Sequence, residues 1–345
     1  MKEYTLENVF TEEHLYKSYL LCLKGVKWKG TVQKYDSHAL SNLYITRQKV
    51  LNEKFETGKF YNFTRIERGK LREIKSVKIN ERVVQRCLCD YCLVPTLTKK
   101  FIYDNSACVK GKGIHFAQNR FKYHLQKYFK KYKTNIGYIL QFDMHHYFET
   151  IPHDNMKIKV NEIIQDKKLN NLYNKLIDDF GGQNGLGLGS QISQISALYY
   201  MSDIDHTLIK EQGVFAYARY MDDGYIISHN YNALLRIKEL LKELVKKEQL
   251  VLNDNKTIIR RLDKTITFLK IRFNLINTGK VFMRIARATI VRNRRKLKKL
   301  FKLNKGIKLI DNYVKCVVGN WKKYNSFYTT KNFLLLYNKL KENYL

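Results

Sequence analysis

Two adjacent aspartates, Asp222 and Asp223, stand among apolar and aromatic residues in the stretch YMDDGYII, residues 220–227. Moving a lone carboxylate into an apolar environment costs several kcal/mol unless it is paired or binds a metal. One interpretation places both acids in solvent at a hairpin tip, because Asp-Gly flanked by β-forming residues is a strong hairpin signal. The other interpretation places them against a divalent metal ion. These eight residues alone leave both interpretations open.

A third carboxylate favours the metal site. Asp143 follows GYILQF, which is predicted to be a buried strand interrupted only by Gln141. Two strands of one sheet can bring Asp143 beside the tip at Asp222. Three carboxylates without a cation repel one another, and their pKa values rise. Mg²⁺ prefers oxygen ligands and is typically held by carboxylates together with substrate phosphates. The sequence therefore predicts a site for two Mg²⁺ ions, with Mn²⁺ as a substitute, and phosphoryl transfer as its chemistry.

The composition indicates a polyanionic partner. The 345 residues include 64 Lys or Arg against 31 Asp or Glu, a formal net charge of +33. Nucleic acid is favoured because 25 Tyr and 18 Phe accompany this charge, and aromatic rings stack on bases. We expect no membrane partner and a cytoplasmic location, since no apolar run approaches the roughly 18 residues of a spanning helix and no signal sequence is apparent.

Six cysteines without a secretion signal indicate a reducing compartment. Cys89 and Cys92 have the C-x-x-C spacing of zinc ligands, with Cys87 and Cys108 nearby. The simpler interpretation makes these thiols inert parts of a core helix, because apolar residues recur around them at helical spacing. Zinc remains the alternative.

The pattern of apolar residues predicts an α+β protein. Residues 1–60 are predicted to be mainly helical, with an amphipathic helix ending near Gly58. Residues 61–79 form a predicted hairpin with a Gly69-Lys70 turn, and a helix follows through about Leu97. Residues 137–275 alternate as β-α-α-turn-α-β-β-α-β-β, which predicts helices on one face of an antiparallel sheet. After residue 280 we expect helices, and residues 281–345 hold 17 Lys or Arg and only 2 acids, which suits a phosphate backbone.

The glycine-rich segment GLGLG, residues 185–189, is not a phosphate-binding P-loop, because the Gly-Lys-Ser/Thr ending is absent. No parallel strand is predicted before it, which argues against a dinucleotide fold. We expect these glycines to let the backbone approach a bound duplex.

Seven segments resemble successive motifs of bacterial-type reverse transcriptases, in the same order along the chain. They are residues 69–97, 140–154, 185–205, 217–227, 252–259, 266–273 and 314–340. The segments at 140–154 (LQFDMHHYFETIPHD) and 217–227 (YARYMDDGYII) contain the acids discussed above. The resemblance implies a right-hand polymerase. Its fingers would be residues 1–100, its antiparallel-sheet palm with part of the fingers residues 101–275, and its small, basic helical thumb residues 276–345.

The resemblance also implies roles at the catalytic site. Asp143 and Asp222 would ligate both metal ions, Asp223 would assist them, and Met144 would offer its backbone carbonyl. Lys256 would lie near the leaving pyrophosphate as a proton donor. RNA template, DNA or RNA primer and dNTPs are the implied partners.

Three further residues are implied to contact the incoming dNTP. Arg72 would clamp the triphosphate, since a planar guanidinium suits phosphate oxygens. Phe148 would exclude a ribose 2′-hydroxyl, and Gln194 would contact the nucleotide. Ordinary core packing for Phe148 and a surface position for Arg72 are the alternatives. Contacts to template and primer are implied for Gly189, Ser193, Tyr220 and Met221.

LGSQISQ, residues 188–194, has Leu-Gly-x-x-x-Ser-Gln where most reverse transcriptases have Gln-Gly-x-x-x-Ser-Pro. This variant resembles enzymes of diversity-generating retroelements, which make errors at template adenines and work with a small basic accessory protein. Lys110 and Lys270 depart from the family pattern, where Arg and Gly are usual. An antiphage-defence reverse transcriptase using a noncoding RNA is the main alternative. An RNA-dependent RNA polymerase and a non-catalytic RNA-binding protein are the others.

Overall fold

The computed structural model describes residues 4–58, 60–67 and 69–344. Four helices open the chain: α1 Leu6–Val9, α2 Glu12–Cys22, α3 Gly30–Asp36 and α4 Ala39–Leu51. Helix α4 ends well before the expected position near Gly58. Glu53 has a φ of 57°, and the Lys54 N–H donates back to the carbonyl of Lys49 at 2.8 Å. This left-handed residue closes the helix C-terminus.

The predicted hairpin is formed by β1 Tyr61–Glu67 and β2 Lys70–Ser76. Glu67 pairs directly with Lys70, so Lys70 is the first residue of β2. The expected Gly69-Lys70 turn is therefore wrong for Lys70. Gly69 has a φ of 82°, which suits a tight hairpin turn, while Arg68 lies outside the described residues.

Helix α5 Ile79–Leu88 continues through a wider π-turn, Cys89–Leu93, into α6 Val94–Leu97 and a 3₁₀ turn, Thr98–Lys100. The predicted helix through about Leu97 is confirmed. Cys87, Cys89 and Cys92 are buried, and burial raises the pKa of the Cys87 and Cys92 thiols to about 12. Within the described part of the chain, the one cluster of three or more potential metal ligands contains no cysteine, which favours inert thiols over zinc.

The central sheet has four antiparallel strands in the order β4-β5-β3-β6. The strands are β3 Tyr138–Asp143, β4 Ala216–Tyr220, β5 Asp223–Ser228 and β6 Ile258–Arg261. The surrounding helices are α7 Ile114–Tyr132, α8 Tyr147–Thr150, α9 His153–Asn161, α10 Lys167–Asp178, α11 Gln191–Tyr200, α12 Ser202–Lys210 and α13 Tyr231–Lys247. The helix expected over residues 192–210 breaks into α11 and α12 at Met201.

Both faces of this sheet are covered, whereas the sequence pattern predicts helices on one face. Leu140 and Ile226 pack into the core that contains residues of α11, α12 and α13. Their neighbours Ile139 and Tyr225 point to the opposite face, where the Phe121 ring of α7 lies 4.6 Å from the Tyr225 ring. The reason is visible in β5: successive residues point to opposite faces, and Ile226 on one face and Tyr225 and Ile227 on the other are all apolar and buried.

A second antiparallel sheet, ordered β7-β8-β9, packs on the α7 side. Its strands are β7 Ile266–Phe268, β8 Ile271–Leu275 and β9 Val281–Ile285, and the helices α14 Arg287–Lys302, α15 Ile307–Trp321 and α16 Phe327–Glu342 follow. The expectation of helices directly after residue 280 is wrong for β9. There Val281, Met283 and Ile285 are buried at every second position, which is the period of a strand.

Lys270, one of the two departures from the family pattern, lies in the turn between β7 and β8. Leu269 and Lys270 have φ values of 45° and 69°. Two consecutive positive φ angles define the hairpin turn in which glycine is least strained.

Among the described helices, none combines the length and the apolar character needed to cross a bilayer.

Candidate active site with three carboxylates

The three aspartates meet at one end of the central sheet. Asp143 is the last residue of β3 and pairs with Asp223, the first residue of β5. Asp222 occupies the two-residue turn between β4 and β5. One carboxylate oxygen from each residue lies within 4.8 Å of the others. Asp143 is buried and the other two are half-buried, so this hairpin tip is not a solvated one.

The electrostatics of this cluster suit a divalent cation. Burial, and then the charge of Asp143, raise the pKa of Asp222. Burial, the charge of Asp222 and a hydrogen bond with Asp143 raise the pKa of Asp223 to about 7. Bound cations reverse such shifts by stabilising the charged carboxylates. Three converging carboxylate oxygens are also the donor type that Mg²⁺ and Mn²⁺ prefer. The residues present therefore fit the implied metal ions.

Lys256 reaches the cluster from the segment that precedes β6. The Asn253 N–H donates to the Asp143 carbonyl at 2.8 Å, and the His145 N–H donates to the Val251 carbonyl at 2.8 Å. These bonds hold residues 251–253 beside the end of β3. The Lys256 ammonium then donates to Asp143 Oδ2 at 2.5 Å, and this hydrogen bond raises the pKa of Lys256. The side chain thus places one positive charge against the three acids.

The turn that carries Asp222 depends on its neighbours. Met221 has a φ of 59°, a left-handed conformation that is uncommon outside glycine. At Gly224, a Cβ atom would lie 2.1 Å from the Phe142 ring, so a larger residue there would push β5 away from β3. Arg219 donates to the Met221 carbonyl at 2.8 Å. Arg219 was not predicted as a functional residue, because a lone arginine in the strand AYARY is equally consistent with an exposed strand edge.

A cleft of about 780 Å³ opens beside the carboxylates. Its walls come from β2, from residues 143–149, from the glycine-rich segment and from the region around Lys256. Six residues with predicted roles line it together: Arg72, Asp143, Met144, Phe148, Asp222 and Lys256. Arg72 Nε also lies 3.3 Å from Glu67 Oε2 on the same hairpin. Arg72 and Phe148 therefore line the same cleft as the carboxylates, and their contacts with the nucleotide stay predictions.

The remaining predicted residues lie elsewhere. Gln194 is exposed on α11 and does not line the cleft, while Ser193 is buried, and its hydroxyl has no hydrogen-bond partner among the described residues. Tyr220 and Met221 are half-buried in the β4–β5 hairpin. Gly189 has a φ of 106°, and a Cβ there would meet Ile74 at 3.0 Å. Their roles toward template, primer and nucleotide stay predictions.

The glycine-rich segment approaches other parts of its own chain. A Cβ at Gly187 would lie 2.5 Å from the Phe180 ring, and one at Gly185 would lie 3.1 Å from the Glu149 carbonyl. The Leu186 N–H donates to the Phe148 carbonyl at 2.6 Å. These two glycines thus allow close packing within the chain, and the expected approach to a duplex stays a prediction.

Residues 57–273 match the reverse transcriptase (RNA-dependent DNA polymerase) family. The match covers well over half of the chain, so the protein belongs to this family. The predicted α+β fold with its antiparallel sheet is confirmed, and so is the predicted reverse transcriptase domain.

The structure also resembles solved proteins, and 266 chains match it significantly. One is an apo telomerase from Candida tropicalis, truncated from its C-terminal domain, with a TM-score of 0.52 and 14% sequence identity. The similar region covers 71% of this chain and 60% of the telomerase chain. At this identity the likeness shows the fold alone. A comparison with curated protein sequences gives no significant match.

In metal-free buffer, Asp223→Asn is expected to stabilise the protein at neutral pH. The folded pKa of about 7 lies above the value of about 3.9 for an unfolded chain. The folded state therefore binds more protons than the unfolded state between these values, and the wild type loses stability as the pH rises from about 4 to about 7. The neutral amide removes this loss, which should raise the free energy of unfolding at pH 8 by on the order of 2 kcal/mol.

Urea unfolding in EDTA across this pH range measures the effect. Asp254→Asn, at an exposed position near Lys256, is the matched control. If the difference between wild type and Asp223→Asn does not grow with pH, the electrostatic description of the cluster is wrong.

Proposed function

We propose that this protein is an RNA-directed DNA polymerase that extends a primer on an RNA template. The observation that carries the proposal is the convergence of Asp143, Asp222 and Asp223 at the ends of adjacent antiparallel strands inside a reverse transcriptase domain. Separate reactions with dNTPs and with rNTPs test it. DNA made on RNA supports the proposal, whereas a product made only from rNTPs would identify an RNA-dependent RNA polymerase.

The carboxylates define where the chemistry takes place. Asp143 and Asp222 would each ligate two divalent ions, with Asp223 and the Met144 carbonyl completing the protein ligands. When bound, a pair of Mg²⁺ or Mn²⁺ ions would activate the primer 3′-hydroxyl and neutralise charge on the triphosphate. The protein holds these donors at and just after the end of β3, in the β4–β5 turn and at the start of β5, which reduces the reorganisation needed at the moment of reaction.

Two cations in the cleft suit the triphosphate. Arg72 lies on the hairpin side and can exchange its ion pair with Glu67 for two phosphate oxygens. Lys256 lines the same cleft from the segment before β6 and is bonded to Asp143. As pyrophosphate leaves, the Lys256 ammonium can donate a proton to the departing oxygen. The position of both residues in the cleft and the chemistry of their side chains support these roles.

Phe148→Ala is expected to increase the incorporation of rNTPs relative to dNTPs. Phe148 lines the cleft five residues after Asp143, and its ring would fill the volume that a 2′-hydroxyl needs. Opening a pocket by a few carbon atoms changes discrimination by roughly 10- to 200-fold. Single-nucleotide incorporation with each substrate measures the ratio, and Phe148→Tyr, which keeps the ring, is the control. An unchanged ratio in Phe148→Ala would remove this role.

The proposed domains are fingers over residues 1–100, palm over 101–275 and thumb over 276–345. The β1–β2 hairpin contributes Arg72 to the cleft wall, which supports the fingers. Strand β8 ends at Leu275 and pairs with β9, so the β7-β8-β9 sheet continues across the proposed boundary and packs with α14–α16 in one core. Helix α14 exposes Arg292, Arg294, Arg295, Lys298 and Lys299. This surface suits the phosphates of a template–primer duplex, and binding there should weaken steeply with salt.

Within the family, we propose a diversity-generating enzyme that copies RNA with errors at adenines and acts with a small basic accessory protein. The sequence Leu-Gly-x-x-x-Ser-Gln at 188–194 supports this assignment. Sequencing the DNA made on an RNA template with all four bases tests it. Errors clustered opposite adenines support the assignment. Faithful DNA, or synthesis that depends on a specific noncoding RNA, would instead support an antiphage-defence or other bacterial lineage.

A further inference from the structure

A fully buried ion pair contacts the Met221-Asp222 turn between β4 and β5. Arg219 on β4 and Asp205 on α12 both have completely buried side chains. Arg219 Nε and Nη2 donate to the two carboxylate oxygens of Asp205 at 2.7 and 2.5 Å. The Tyr217 hydroxyl donates to the same carboxylate at 2.6 Å. This bidentate contact fixes the plane of the guanidinium.

The guanidinium has two further bonds that reach the backbone. Nη2 donates to the Leu198 carbonyl of α11 at 2.9 Å, and Nη1 donates to the Met221 carbonyl at 2.8 Å. The second bond is the informative one. The Met221 carbonyl belongs to the peptide that joins Met221 to Asp222, so its direction sets where the Asp222 carboxylate begins. Met221 itself is held at a φ of 59°, a strained conformation for a residue with a side chain, which persists where surrounding contacts impose it.

We infer that Arg219 is a positioning residue, which Asp205 orients so that its hydrogen bond to the Met221 carbonyl holds Asp222 in metal-ligating geometry. The inference rests on the proposed function, because it assigns a purpose to the position of Asp222. Asp205 balances the charge of Arg219, so we attribute the effect of the pair to the direction and length of the hydrogen bond from Arg219 to the Met221 carbonyl. Because the pair spans β4 and α12 and also reaches α11, it fixes the turn to three elements of the core.

Core stability alone does not require this pair. Replacing a buried ion pair by apolar residues of similar volume is often neutral or stabilising. Such a replacement would leave β4 and α12 packed, but it would remove the bond to the Met221 carbonyl. Lysine cannot substitute either, because one ammonium group cannot reproduce the planar fork of donors. A structural role and a positioning role therefore make different predictions.

The test compares Arg219→Met combined with Asp205→Leu, and Arg219→Lys alone, with the wild type. Mn²⁺ binding is measured by electron paramagnetic resonance without nucleotide, and kcat and KM for dNTP are measured by primer extension. Because a displacement of about 1 Å can cost 10²-fold in rate, we expect kcat to fall roughly 10²-fold. We expect weaker Mn²⁺ binding, an unchanged KM for dNTP and no rescue by lysine.

The matched control is the ion pair of Arg120 with Asp104, whose two bonds measure 2.5 and 3.0 Å. The combined change Arg120→Met and Asp104→Leu should keep wild-type Mn²⁺ affinity. Wild-type Mn²⁺ affinity and kcat in the folded Arg219→Met/Asp205→Leu protein would overturn the inference. If that variant unfolds, Arg219→Lys decides by the same readouts. If the wild type binds Mn²⁺ but makes no DNA, the proposed function fails, while Mn²⁺ affinity still tests the positioning role.

Discussion

Asp222→Ala is expected to abolish primer extension and to leave RNA binding unchanged. The carboxylate projects from the turn between β4 and β5, where it meets Asp143 and Asp223. Removing it takes away a ligand that both metal ions need, and with it the electrostatic stabilisation of the reacting phosphate. Losing one preorganised interaction of this kind typically costs about 10²–10³-fold in rate, and a shared metal ligand should cost at least that much.

The same change should not unfold the protein. Burial and the charge of Asp143 raise the pKa of Asp222, which means that its ionised form is destabilised in the metal-free fold. Deleting it relieves repulsion. The basic residues of α14 do not line the cleft, so RNA affinity should stay within about twofold of the wild-type value. Asp254→Ala, at an exposed position nearby, is the control. Extension at the wild-type rate by Asp222→Ala would remove Asp222 from catalysis.

Asp205→Ala is expected to give the largest loss of stability of any single aspartate change in the central sheet region. It leaves the Arg219 guanidinium fully buried with two of its donors unpaired. Breaking a buried ion pair from one side costs about 3–5 kcal/mol, because the remaining charge has neither water nor a counterion. Urea unfolding at neutral pH measures the difference directly.

Asp203 on the same helix provides the comparison. It is exposed, and Lys159 donates to its carboxylate at 2.6 Å. Exposed pairs of this kind contribute at most about 1 kcal/mol, so Asp203→Ala should change stability little. If the two variants lost equal stability, the buried pair would be no more important to the fold than a surface pair.

The acids of the site could be predicted because their signal is local. Asp143 ends an apolar strand and Asp222 and Asp223 interrupt another apolar segment, which is costly unless a cation compensates them. A hairpin was predictable here, but the expected Asp223-Gly224 turn is wrong: Asp223 and Gly224 pair with β4 inside β5, and the chain turns at Met221-Asp222. Most helices of the central region were also predictable, since their apolar residues recur with helical period.

The partnership of Arg219 and Asp205 could not be predicted in the same way. The two residues lie on different elements, and their contact depends on how α12 packs against β4. A single charge within a short strand is equally consistent with an exposed edge. The coverage of both sheet faces could not be predicted either, because an apolar run alone does not specify which elements cover it. Strand β9 was missed because the basic helices after it dominate the composition of that region.

The most direct test of the central claim is extension of a labelled DNA primer on a defined RNA template by the purified protein with Mg²⁺ and dNTPs. We predict DNA products that require the RNA template, disappear in EDTA and are absent with Asp222→Ala. The account would be contradicted if the wild type and Asp222→Ala gave the same products, or if product formed equally well without divalent metal.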